Sequence, residues 1–126
     1  LPLNLDPTSR QTGQDVMDLL GFLGLTKDAN RPAGALSAGQ RKLAALARAL
    51  VARPDIVLCD DPLAGVGAEA EPKVVRLLTE LSRLGAAVIV AASGPVSGLP
   101  GAVWRLREGR LELAPESTLK PLDPAR

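Results

Sequence analysis

Leu36-Ser37-Ala38-Gly39-Gln40 and, further along, Ile56-Val57-Leu58-Cys59-Asp60-Asp61-Pro62 enclose the stretch of chain whose reading decides the fold. Ser37 and Gln40 have the spacing of a capping box, in which each side chain satisfies a backbone N–H that the first helical turn leaves open. The helix opened there carries Leu43, Leu46, Ala47 and Leu50 on one face and is expected to stop before Pro54. After Asp55 a short, continuous apolar segment runs to Cys59, the pattern of a strand buried on both faces. It closes on the acid pair Asp60-Asp61.

Upstream, residues 1–11 read as a loop, and Thr12-Gly13-Gln14-Asp15 as a further capping box. The helix beyond it bears Val16, Leu19, Leu20 and Leu23 in one stripe and can end at Gly24. A polar stretch from Thr26 to Gly34 is a loop. Downstream, Glu69, Glu71 and Pro72 suit the start of a third helix, which carries Val74, Leu77, Leu78 and Leu81. Ala86 to Ala92 is expected to be a second buried strand. Trp104, Leu106, Leu111 and Leu113 alternate with charged residues around Glu108-Gly109, a hairpin pattern. Residues from Pro115 onward read as a frayed tail. Strand, helix, strand in this order predicts a parallel sheet of the α/β class.

Composition narrows the function. At 126 residues the chain fits one domain-sized core, and 46% hydrophobic with 23% charged residues is the balance of a globular protein. Fifteen basic against fourteen acidic residues, with one Trp, one Phe and no Tyr, argue against a nucleic-acid partner. A single cysteine rules out an intrachain disulfide, and the lack of histidine removes the commonest general base and metal ligand. No apolar run reaches the ~18–20 residues that a membrane span needs. The chain opens on Leu1, not Met, which fits either a fragment of a longer polypeptide or a natural truncation.

Two places can carry chemistry. A helix N-terminus presents unpaired N–H groups and partial positive charge, which together hold an anion. Ala38 and Gly39 are small enough to admit a phosphate, and Ser37 adds a hydroxyl; read alone, the same residues describe an ordinary capped helix. Asp60 and Asp61 fall at the C-terminal edge of a strand, where parallel α/β sheets bind ligands. One acid there can hold Mg²⁺ and the other can orient a water, or both can simply cap the following turn.

The ordered series "LSAGQ", "RKLAALARAL" and "LCDDP" resembles the ATP-binding-cassette (ABC) ATPases, whose motifs read "LSGGQ", "RxxxARAL" and "DEP". The resemblance covers roughly residues 1 to 113. It implies a partial P-loop NTPase (RecA-like) parallel sheet with an ABC helical subdomain and a C-terminal hairpin. The expected divisions are 1–52, helical subdomain with the signature; 53–114, RecA-like half with Walker B strand, switch strand and hairpin; and 115–126, tail. Carried over, Ser37, Ala38, Gly39 and Gln40 would contact ATP held by a second cassette, Asp60 would serve Mg²⁺, and Asp61 would be the catalytic carboxylate. The implied partners are a second ABC ATPase subunit and a transmembrane permease, which would hold the chain in the cytoplasm, peripheral at the inner face of the membrane.

Departures from the family pattern bear on activity. No Gly-x-x-x-x-Gly-Lys-[Ser/Thr] phosphate loop occurs in the chain, so ATP and Mg²⁺ are conditional on one supplied elsewhere. Asp61 stands where the family usually has Glu, Ser93 where it has the switch His, Gly67 where it has Asp, and Ala38 where it has Gly. This chain alone is expected to bind ATP poorly and hydrolyse it negligibly. The alternative is a degenerate, non-catalytic module that regulates a partner ATPase by supplying the signature turn. A third strand, normally between the switch strand and the hairpin, would be missing, leaving an unpaired edge at Val88, Ile89 and Val90 that invites association.

Overall fold

The computed structural model describes residues 13–94 and 96–114. The expected loop at 1–11, the cap at Thr12 and the tail from Pro115 lie outside the described residues. Within them, α1 (Gly13–Phe22) and α2 (Ala38–Val51) are joined through two single turns of 3-10 helix, Thr26–Asp28 and Ala33–Ala35. There follow β1 (Ile56–Asp60), α3 (Glu71–Arg83), β2 (Ala87–Ala91) and the hairpin β3 (Trp104–Arg107) and β4 (Arg110–Leu113).

β1 and β2 pair in parallel with Val57 opposite Val88 and Cys59 opposite Val90, and α3 is the crossover between them. Val74, Leu77 and Leu78 on α3 are the most completely buried side chains of the described residues. They belong to one core with Val57, Leu81, Leu19 and Leu23, and with Leu43, Ala47 and Leu50 of α2. The core therefore runs without a break across residues 52 and 53. The helix starts follow the sequence pattern: Ser37 caps α2, and Glu71 and Pro72 stand in the first turn of α3. Arg53, just past α2, reaches Asp15 of α1 at 3.6 Å and adds a polar tie at the edge of this core.

The strands depart from expectation. They are covered on one face only. Ile56, Leu58 and Ile89 stand 64%, 73% and 61% exposed, while Val57 of β1 is buried and Cys59, Val88 and Val90 are partly covered. An unalternating apolar run describes a strand with a layer on each side, and among the described residues only the α3 layer is present. The second edge of β2 is likewise unpaired there, since the sheet holds β1 and β2 alone and the hairpin forms a sheet of its own. In that hairpin Glu108 (φ 47°) and Gly109 (φ 77°) both take left-handed backbone, the two-residue turn whose twist matches that of paired strands. Trp104 faces Leu113 and Leu106 faces Leu111, which leaves four exposed apolar side chains on one side of the ribbon.

Candidate nucleotide site

Ser37 sits in extended backbone (φ −64°, ψ 164°), and its hydroxyl accepts from the Gln40 N–H at 3.1 Å. Gln40 returns the bond, its Oε1 accepting from the Ser37 N–H at 2.9 Å, which completes the capping box. The amide of Gln40 also donates to Asp28 Oδ2 at 2.8 Å, and Asp28 in turn pairs with Arg31 at 2.7 Å. Arg31 donates to the Ala35 carbonyl and Arg41 to the Leu36 carbonyl, at 2.8 and 2.6 Å. The loop that delivers the chain to α2 is thus held by side chains on both sides of the turn. The first turn of α2 carries no acid. The N–H groups of Ala38 and Gly39 meet no described acceptor, and the Ser37 O–H remains able to donate. Of these, the Ser37 and Ala38 donors are on exposed residues and suit an anion, whereas Gly39 is buried.

Gly39 has a second reason to be glycine. A Cβ placed there would collide with the Gly65 carbonyl oxygen and lie 3.1 Å from the Val66 Cα. The segment after β1 therefore lies directly against the start of α2, and the space that the sequence pattern assigned to a phosphate is in part filled by this chain's own loop. Lys42, one turn into α2, extends the contact: its Nζ donates to the carbonyls of Asp61 and Ala64, each at 2.9 Å.

Asp60 ends β1 on the open face of the sheet and is exposed, with no described partner. An exposed carboxylate with free oxygens is a hard donor of the kind that holds Mg²⁺ together with water and phosphate oxygens. No group of three or more acidic, Cys or His side chains among the described residues could hold a metal ion by itself. Asp61 is half-buried, and its backbone is left-handed at φ 47°. Its N–H donates to the Ala91 carbonyl at 2.7 Å, extending the β1–β2 ladder by one bond. Ser93 lies exposed in a bend just past β2, at the same end of the sheet. Gly67 (φ 91°) turns the chain into α3, its carbonyl accepting from the N–H groups of Ala70 and Glu71 at 3.0 and 3.1 Å.

The structure thus seats the 65–66 loop on Gly39 and ties the Asp61 and Ala64 carbonyls to Lys42, while Asp60 and Ser93 share the C-terminal end of the sheet. Sequence reasoning missed Asp28, Lys42 and Gly65. The close spacing of Gly65 and Gly67 could have signalled a tight loop; nothing in spacing could have singled out Lys42, whose acceptors are far along the chain.

A family model described as ABC transporter matches residues 4–64. The lipoprotein-releasing system ATP-binding protein LolD 1 of Caulobacter vibrioides is 34% identical over 105 residues, covering 82% of this chain and 45% of that protein. The energy-coupling factor transporter ATP-binding protein EcfA of Methanocaldococcus jannaschii is 31% identical over 90 residues, or 71% of this chain and 32% of that one. Among solved structures, a dimeric, post-hydrolysis ATP-binding cassette bound to ADP and Pi matches with a TM-score of 0.70 at 27% identity, over 90% of this chain and 53% of that one. Parallel strands joined by a crossover helix, with carboxylates at their C-terminal end, define an α/β fold of the P-loop NTPase class. The chain belongs to the ABC transporter ATP-binding family. It spans from about a third to about half the length of these relatives.

Proposed function

We infer that this chain forms part of an ATP-hydrolysing subunit coupled to transport across a membrane, and that it acts once a phosphate loop and a second cassette complete its sites. In this reading Ser37, Ala38, Gly39 and Gln40 contact ATP held by the second cassette, Asp60 serves Mg²⁺, and Asp61 orients the attacking water. Mg²⁺, when bound, neutralises charge on the phosphates. A permease partner would hold the subunit at the cytoplasmic face, and no helix of the described residues is long and apolar enough to cross a membrane. The observation that supports the reading is the capped, acid-free start of α2, together with the exposed carboxylate of Asp60 at the C-terminal end of β1.

A second reading, a module that lends only its signature turn, draws support from Asp61 and Ser93. Asp is one methylene shorter than the family's usual Glu, and a misplacement near 1 Å can lower a rate by ~10²-fold. Serine in place of the switch His is too short to bridge to a phosphate in the same way. ATP turnover by the full gene product, with its partner subunits, tests both. Loss of turnover on Asp61→Asn supports hydrolysis at this site. A rise in rate on combining Asp61→Glu with Ser93→His supports a weakened cassette. No turnover in the parent and none in the double variant, with the fold retained, leaves the lending module as the function.

A further inference from the structure

We propose that Lys42 is a positioning residue: its ammonium fixes the Asp60–Asp61 turn against the Ser37–Gln40 turn, so that the two halves of the candidate site move together. The functional consequence rests on the ATPase reading above; the clamp itself does not.

Three observations carry the proposal. The first is the geometry of the ammonium. Lys42 Nζ donates to the carbonyls of Asp61 and Ala64, each at 2.9 Å, and both acceptors lie beyond the end of β1. A lysine has three donors and no acceptor. No carboxylate among the described residues forms a salt bridge with this one, so its charge is directed at backbone oxygens instead of a counter-ion. Second, Asp61 stands in left-handed backbone (φ 47°), a conformation that a residue bearing a Cβ keeps only where its surroundings hold it. Its N–H is held by the Ala91 carbonyl at 2.7 Å, and its carbonyl by Lys42 together with the Ala64 N–H at 3.3 Å. Remove Lys42, and the carbonyl side of the turn keeps only that longer bond. Third, the close approach of Gly65 to Gly39 sits on the same seam. The loop is thus seated on α2 by packing at Gly39 and by charged hydrogen bonds at Lys42. Asp61, at its start, thus inherits its position in part from the helix that carries the signature turn, while Asp60 is held by its pairing with Ala91.

The test uses the full gene product and the variants Lys42→Met, which keeps length but removes the donors, and Lys42→Arg, which keeps charge and donors. Deuterium uptake by the amides of residues 61–67, measured without nucleotide, reads the clamp independently of any activity. Lys42→Met should raise uptake there several-fold while α3 is unchanged, because only the local opening free energy falls, and Lys42→Arg should restore it in large part. With ATP, Lys42→Met should lower kcat about ten-fold at nearly constant KM, the mark of a misplaced group and not of weakened binding. Unchanged uptake over 61–67, or an equal rise across α2 and α3, would overturn the clamp. Raised local uptake with kcat intact, in a product that turns over ATP, would overturn the positioning role. A parent product with no turnover at all would sink the ATPase reading, and the uptake result would still decide the clamp.

Discussion

At Gly39 a hydrogen atom in place of a methyl group lets the loop after β1 lie on the start of α2. Gly39→Ala should cost about 1–3 kcal/mol, the usual range for overpacking, since the obstacle is the Gly65 carbonyl and the Val66 Cα and not a side chain that could swing away. Denaturant unfolding measures it, and a loss within error would mean that the loop shifts freely. The capping box was legible beforehand because Ser37 and Gln40 carry their own partners within one turn. The seat of the loop was not, since Lys42 and Gly65 meet only after α2 and β1 have packed. Cys59 supplies a pH signature at the same scale. Burial pushes its thiol up from the ordinary value, so as pH rises past about 8.5 the unfolded thiol ionises before the folded one. The protonated folded form gives no pH slope below that value, and stability then declines as pH climbs through the folded one. Thermal midpoints of the parent and Cys59→Ala should therefore run parallel at neutral pH and converge in alkali. Parallel curves throughout would show that Cys59 ionises alike in both states.

Among the elements, α3 carries the greatest weight. Leu78→Ala removes a side chain that is 1% exposed and should destabilise by about 2–5 kcal/mol. Leu84→Ala, at the exposed end of the same helix, should stay within about 0.5 kcal/mol. Equal effects would mean that the burial of α3 has been misjudged. The helical stripes of α2 and α3 were readable because one apolar face per helix implies one covering neighbour. The strands were readable as strands but not in their exposure. A run such as Ile56-Val57-Leu58-Cys59 records that both faces are apolar; it cannot record which residues will lie over the second face.

For the molecule as a whole, the open face of β1 and β2 and the apolar side of the β3–β4 ribbon are the exposed surfaces with most consequence. Ile56, Leu58 and Ile89 stand on the first, and Trp104, Leu106, Leu111 and Leu113 on the second. Contiguous apolar surface beside an unpaired strand edge favours self-association. Sedimentation of this chain at increasing concentration should show growing mass, reduced by the paired change Ile56→Lys and Leu58→Lys, whose side chains contribute little to the core. A monomer at every concentration would remove association from the account.

The β1–α3–β2 unit also sets an order in time. Its strands are joined by the crossover helix that fills the deepest part of the core, and the whole unit is contiguous in sequence, so closing it sacrifices little chain entropy. Substitution at Leu77 should therefore slow refolding, whereas Leu19→Ala in α1 should chiefly hasten unfolding. A nascent chain would then carry its α1–α2 arm unsupported until β2 has been made, which makes that interval the one in which a holdase would find most to grasp.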